Sequence, residues 1–392
     1  MAPKRIVTTA FFFAACVLAS SVHADCKQTA LHFRSVPEIG SIKIESRFFG
    51  FDSAVKRPLT GGEPAYDYSA HIIKDGSLYR LYSGGRWLRP GVPNGDGDHV
   101  LQHVSKTGLS GTWLMPRNRP EFWKGSEEGP GDTWFAGNYI EPEVVKAKGT
   151  YYMYTQVEMD PGTPLDIPKK NAVTWCDRIQ LHISKDGSNW TRWSEKRGVV
   201  VDIDDPTHTS LHHQEVVYVP WDKDKTPFWL YVAVDVGGVS TGHWRIRSGD
   251  PTTFNWRRRE RVEGLAQLGN QIGYAKQAPG GPLFVRITFA PDADERAVPS
   301  LQFSKDGLRW FWGDEGPPLL DGSKDDRVNK NCYFLGLSTI NGTGRLEYLG
   351  GGRYRAIYAA ATCNSPVVMD IYNSEIGVGE LVMTIIPKGR SE

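Results

Sequence analysis

Three carboxylates in the chain stand in segments of one kind, polar at the start and apolar toward the end, each leading into an aromatic strand. Asp67 lies in Tyr66-Asp67-Tyr68-Ser69-Ala70-His71-Ile72-Ile73, Glu143 in Ile140-Glu141-Pro142-Glu143-Val144-Val145, and Glu215 in His212-His213-Gln214-Glu215-Val216-Val217-Tyr218. Carboxyl groups that converge in this way suit general acid–base chemistry. One, held protonated, gives its proton to a leaving oxygen, while another, ionised, activates water. A third carboxylate close by raises the pKa of the acid by like-charge repulsion. Glu141 competes with Glu143 for that third place, and a fourth segment of the same kind offers only Asn270 and Gln271.

The elements that must position these groups repeat along the chain. An aromatic and β-branched strand recurs five times, as Tyr79-Arg80-Leu81-Tyr82-Ser83, Tyr151-Tyr152-Met153-Tyr154-Thr155, Phe228-Trp229-Leu230-Tyr231-Val232, Leu283-Phe284-Val285-Arg286-Ile287 and Tyr354-Arg355-Ala356-Ile357-Tyr358. Gly-containing turns such as Lys148-Gly149 and Gly351-Gly352 precede most copies. A second element follows: an alternating strand, a serine, a polar turn and a tryptophan. Ser184-Lys185-Asp186-Gly187 before Trp190 and Ser304-Lys305-Asp306-Gly307 before Trp310 show it best, with looser versions at Ser105–Trp113 and Ser248–Trp256. Such turns fit hairpins between outer strands.

Two-residue alternation is common and no sustained 3.6-residue apolar period appears, so the class is all-β with little helix. Five units of about four strands each match the radial blades of a propeller. The competing arrangement, two stacked β domains, leaves unexplained why five copies fill the chain without a linker. In a propeller the innermost strand of each blade lines the central channel, which would bring Asp67, Glu143 and Glu215 into one pocket.

The first residues read as a secretory signal over 1–24: Lys4 and Arg5, an apolar stretch from Ile6 to Leu18, and the small-residue site Val22-His23-Ala24. Cys16 invites a lipoprotein reading, but the residues before it lack the usual leucine. Residues 25–392 are expected to form a single domain in which segment 25–64 adds a closing strand through Ile42-Lys43-Ile44-Glu45. No later run approaches the roughly 18 apolar residues of a membrane helix. A secreted or periplasmic, monomeric protein is expected. In such a compartment Cys26, Cys176, Cys332 and Cys363 favour pairing, with Cys332–Cys363 and Cys26–Cys176 preferred among three connectivities. The balance of 46 Lys and Arg against 45 Asp and Glu leaves no field to draw in nucleic acid or an acidic membrane, so a neutral partner is expected. P-loop, dinucleotide, Gly-x-Ser-x-Gly and zinc motifs are absent.

On these residues the chain resembles the five-bladed glycosidases of glycoside hydrolase family 43 and its relatives in families 32, 62, 68 and 117. The family's first blade opens with Asp-Pro and runs through a Gly turn into a Tyr-Tyr-Leu-Tyr-type strand; Asp67 through Ser83 is similar, with Tyr68 in place of proline. Its second blade reads Ala-Pro-Asp before apolar residues, and Glu141-Pro142-Glu143-Val144-Val145 is similar, with glutamate for aspartate. Its third acid, a glutamate heading another inner strand, corresponds to Glu215.

The resemblance implies Asp67 as general base, Glu143 as the group that orients and tunes the acid, and Glu215 as general acid. It further implies hydrolysis of a neutral oligo- or polysaccharide, a furanoside or pentoside, with inversion. Carboxyl groups about 6.5–9.5 Å apart leave room for the water of inversion, whereas about 5–5.5 Å implies retention. Glu141, Trp87, Trp134, His71, His213, Asn270 and Arg286 are the expected substrate-binding set, the indoles by stacking on sugar rings. For the tryptophans, with Trp175 and Trp244, packing between blades is the alternative, and for Arg286 a buried ion pair. His212 and His243 lie near the same strands. Some relatives hold a central cation, but this chain has no metal-ligand spacing, so no cofactor is expected, with a central structural cation as the alternative. A propeller that binds a carbohydrate or a protein without catalysis is the alternative function, since fold does not fix function.

Overall fold

The computed structural model describes residues 38–51, 63–88, 98–109, 111–115, 139–159, 176–203, 209–265, 269–291, 297–312, 335–337, 344–362 and 375–389. The expected signal segment and Trp134, Trp175, Cys26, Cys332 and Cys363 lie outside them. The backbones of Asp67, Trp87, Cys176 and Asn270 lie within strands, but their side chains fall outside the description.

The strands are, in chain order, β1 (Ile39–Phe51), β2 (Glu63–Asp75), β3 (Leu78–Leu88), β4 (Asp98–Ser105), β5 (Tyr139–Ala147), β6 (Thr150–Met159), β7 (Cys176–Ser184), β8 (Trp190–Arg192), β9 (Val201–Asp202), β10 (Thr209–Tyr218) and β11 (Phe228–Val236). They continue as β12 (Val239–Ser248), β13 (Phe254–Asn255), β14 (Glu260–Arg261), β15 (Gly269–Ala275), β16 (Leu283–Pro291), β17 (Ala297–Ser304), β18 (Phe311–Trp312), β19 (Leu335–Leu337), β20 (Glu347–Gly350), β21 (Arg353–Thr362) and β22 (Glu375–Pro387). Two single turns of 3-10 helix, at Glu195–Gly198 and Trp256–Arg258, are the helical content of the described residues.

Five antiparallel sheets form the five blades of a β-propeller: β2-β3-β4, β5-β6-β7-β8, β10-β11-β12-β14, β15-β16-β17-β18 and β19-β21-β22-β1. Their inner strands pack side by side in the order β2, β5, β10, β15 and β19, and β19 returns to β2. The ring is therefore closed. β1 pairs with β22 along its length, so Ile42–Glu45 belong to the outermost strand of the last blade, and chain segments from both ends build one sheet.

The repeated aromatic strand is the second strand of each blade. It is buried on both faces, which is why it reads as a near-continuous apolar run. In β6, Tyr151 and Met153 pack toward the first blade with Ile73 and Tyr82, while Tyr154 packs toward the third with Leu230 and Val232. The turn ahead of it carries positive φ at Lys148 (50°) and Gly149 (79°), the backbone of a type I′ hairpin.

The fourth copy is shifted by one residue from the alignment the sequence suggests. Phe284 packs back against the third blade with Trp229 and Tyr231, as Phe228 packs back against the second, whereas Leu283 and Val285 face the fifth. The copy therefore starts at Phe284. This places Arg286 at the third position, which Leu81, Met153, Leu230 and Ala356 fill elsewhere, so a guanidinium occupies an otherwise apolar site.

The serine turns lock one blade to the next. Ser184 Oγ accepts the N–H of Gly187 at 2.9 Å and Ser304 Oγ that of Gly307 at 2.8 Å. The fourth residue of the aromatic strand in the preceding blade then reaches the turn: Tyr82 Oη donates to Gly187 O at 2.8 Å, Tyr154 to Pro251 O at 2.8 Å, and Tyr231 to Gly307 O at 3.0 Å. Each such buried bond is worth about 1 kcal/mol net. At Gly307 (φ 69°) a Cβ would collide with the Tyr231 hydroxyl, so glycine is required by both backbone and contact.

Candidate functional site

The inner strands of four blades present one residue each at the same place, immediately before an apolar residue that anchors the strand: His71 before Ile72, Glu143 before Val144, Glu215 before Val216, and Gln271 before Ile272. In the first three blades that residue stands opposite the tyrosine of the neighbouring strand, as His71 with Tyr82, Glu143 with Tyr154 and Glu215 with Tyr231. β2, β5 and β10 bulge just ahead of this layer, and in β15 the bulge falls at Gln271 itself, between the paired residues Asn270 and Ile272. All four side chains are buried, with 1–2% exposure.

Within the layer the groups are paired. Glu143 Oε2 lies 2.8 Å from His71 Nδ1, a close polar contact outside hydrogen-bond geometry. The backbone N–H of Val216 also serves the Glu143 carboxylate. Burial raises the Glu143 pKa, His71 opposes the rise, and the nearby Glu141 charge adds to it. Glu215 is held by Arg286, whose Nε donates at 2.7 and 2.9 Å to its two oxygens and whose Nη2 donates to Oε1. Burial pushes the Glu215 carboxyl up to about 7, against the Arg286 charge and with a further push from Glu143. A carboxyl group that titrates near neutrality can hold a proton and release it, as a general acid requires.

One step closer to the start of the inner strands lies a second layer. Glu141 (φ 53°) and His213 (φ 47°) hold the left-handed conformation at the bulges of β5 and β10, one that non-glycine residues rarely adopt. The bulges turn their side chains together, with His213 Nδ1 2.7 Å from Glu141 Oε1. Gln156 Oε1 accepts the His213 N–H at 3.1 Å, and Gln214 Nε2 bonds back to the carbonyls of Glu141 and Tyr154. The His213 side chain is 21% exposed against 3% for Glu141, so the layer opens outward on the histidine side. Asp67 stands four residues before His71 in β2, opposite Gly85, about 10–13 Å along the strand from the buried layer.

A further charged group lies beside His213. His212 Nδ1 is 2.6 Å from Asp177 Oδ2 and its Nε2 is 3.1 Å from Asp235 Oδ2. Burial alone would lower the imidazolium pKa, but the bonds to the two aspartates outweigh it and raise it to about 10. The sequence marks His212 but neither aspartate, because they come from β7 and the far end of β11.

The structure thus brings His71, Glu141, Glu143, His213, Glu215 and Arg286 together from strands distant in sequence. Arg286 is fully buried on Glu215, the ion pair that stood as the alternative to substrate contact. Trp244 lies between Arg259 and Arg261, 5.0 and 5.7 Å from their guanidinium carbons, and packs at the edge of the second and third blades. Gln271 was the residue whose part the sequence left unassigned. Among the described residues no three or more His, Cys, Asp or Glu side chains form a metal site, and no helix is long and apolar enough to cross a membrane.

No family model matches the sequence, and no curated protein matches it. Solved structures do match in fold. BT0996 in complex with RGII aligns at 17% identity over 88% of this chain and 94% of that one, with a TM-score of 0.52. A GH62 hydrolase in complex with xylotriose aligns at 11% identity over 88% and 98%, with a TM-score of 0.51. A β-1,2-mannobiose phosphorylase from Listeria innocua aligns at 10% identity over 86% and 96%, with a TM-score of 0.50. The chain is similar in fold to five-bladed β-propellers among which glycoside hydrolases are prominent, as its repeat and inner-strand acids led one to expect.

Proposed function

We propose that the protein is a glycoside hydrolase that cleaves a neutral glycan with Glu215 as general acid, Asp67 as general base and Glu143 as the group that tunes the acid. The observation that carries this reading is the pair of buried carboxyl groups on adjacent inner strands: Glu143 and Glu215 share one register, both are pushed upward, and Glu215 reaches about 7. A buried carboxyl group that titrates near neutrality with a second carboxylate beside it suits proton delivery to a glycosidic oxygen. Asp67 stands nearer the start of β2 than the buried layer, and this reading makes it the base that activates water. The neutral charge balance of the chain and the carbohydrate complexes of its fold neighbours support a neutral glycan as substrate; the family resemblance is what points to a furanoside or pentoside and to inversion. The signal-like opening supports export, and an oxidising compartment would favour pairing of the four remaining cysteines.

One observation favours a second reading, a propeller that binds glycan without cleaving it: Glu215 is 1% exposed and gripped by a fully buried arginine. Hydrolysis of aryl furanosides, aryl pyranosides and plant and microbial polysaccharides, with and without phosphate, separates the two. Activity in the wild type that collapses in Glu215→Gln supports the hydrolase, and phosphate-dependent turnover would redirect it to phosphorolysis. Glycan binding without turnover supports the binding propeller. Parallel loss in Glu141→Gln but not Glu143→Gln would move the tuning role to Glu141.

A further inference from the structure

Gln271 makes a contact that the propeller ring does not require. Its strand β15 belongs to the fourth blade and β2 to the first, and these are not neighbours in the ring. The side chain nevertheless spans the axis. Its Oε1 accepts the N–H of Ile72 at 3.2 Å and its Nε2 donates to Ile72 O at 2.8 Å. Backbone groups have fixed polarity, so this double bond settles which end of the amide is nitrogen. The second N–H of the same nitrogen points to His71 Nε2, 3.1 Å away.

An amide N–H can only donate, so His71 Nε2 must accept. The proton of the imidazole then sits on Nδ1, the atom 2.8 Å from Glu143 Oε2. The chain maintains this arrangement at some cost, for Gln271 sits at φ 61°, a left-handed conformation uncommon for glutamine. Its neighbour Asn270, a residue type more at ease there, does not hold that position.

We infer that Gln271 is a positioning residue that fixes the tautomer of His71, so that an N–H of the first blade always faces the carboxylate of Glu143. The chain of contacts runs from Gln271 in the fourth blade through His71 in the first to Glu143 in the second, and it is buried throughout. Any consequence for catalysis rests on Glu143 acting as the tuning group; the tautomer itself does not.

The test is the protonation of the two His71 ring nitrogens, read by two-bond proton–nitrogen correlation on the full chain with nitrogen-15 histidine, assigned by the signal lost in His71→Asn. In the wild type Nδ1 carries the proton and Nε2 is bare. In Gln271→Glu a carboxylate replaces the donor, and Nε2 gains a proton. A wild type with bare Nδ1 overturns the inference, as does a folded Gln271→Glu whose His71 pattern is unchanged. The wild-type spectrum decides the first point even if the variant does not fold. Failure to hydrolyse any glycan would remove the catalytic reading and leave this result standing, so the two failures are distinguishable.

Discussion

Glu215 and Arg286 face each other across the junction of the third and fourth blades, the carboxylate on an inner strand and the guanidinium at a repeat position that is apolar in the other four. Both are fully buried, so neither charge has water to turn to.

This pair makes stability depend on pH in a defined direction. The folded state holds the Glu215 proton up to about pH 7, while the unfolded chain releases it near 4.5. Between these values the native state binds more protons, so stability falls as pH rises from about 4.5 to 7, by about 3 kcal/mol from this group. Urea unfolding of wild type and Glu215→Gln across that window should show the slope reduced in the variant.

Removing the guanidinium leaves the carboxylate buried and alone. Arg286→Met should cost about 3–5 kcal/mol above pH 7 and much less near pH 4.5, where Glu215 is neutral. Equal loss at both pH values, in the same urea measurement, would mean that packing rather than charge is the chief role of Arg286.

His212 works in the opposite sense. Its folded pKa of about 10 exceeds the unfolded 6.5, so the stability it contributes is complete below about pH 6.5 and is lost as pH rises through 10. The thermal midpoint of the wild type should therefore drop more than that of His212→Asn between pH 7 and 10, as followed by circular dichroism.

The tyrosines between blades give a separable effect. Tyr82→Phe, Tyr154→Phe and Tyr231→Phe should each lower stability by about 1 kcal/mol, and pairs of them should add, because each serves a different junction. The pH dependence of stability should be unchanged in all three.

The architecture was legible because a blade is a local pattern. The aromatic strand and the Ser-x-Asp-Gly turn of a blade are joined through one hairpin, as Tyr151–Thr155 and Ser184–Gly187 are through β7, and an acid ahead of two β-branched residues, as in Glu143-Val144-Val145, marks an inner strand. The pairing inside the site was not legible, since it joins residues of different blades whose partners no local pattern names. Arg286 came closest, but it was hidden by a one-residue shift: aligned from Leu283 it looks like a fourth-position residue, and only the packing of Phe284 shows that it stands where leucine, methionine or alanine stands elsewhere. Gln271 could be placed in the fourth inner segment, but its contact could not be read, because it depends on the polarity of a backbone in another blade. The bulges that turn Glu141 and His213 together were equally silent: glutamate does not advertise positive φ, and histidine, though enriched there, is too common in other conformations to mark a bulge.

The central claim is that the buried Glu215 carboxyl group delivers a proton to a glycosidic oxygen. The most direct measurement is turnover by Glu215→Gln of a glycan that the wild type hydrolyses, compared with an aryl glycoside whose leaving group needs no proton. Proton delivery by Glu215 predicts loss of about 100-fold or more on the glycan and a much smaller loss on the activated glycoside. Equal loss on both substrates, or none on either, would contradict it.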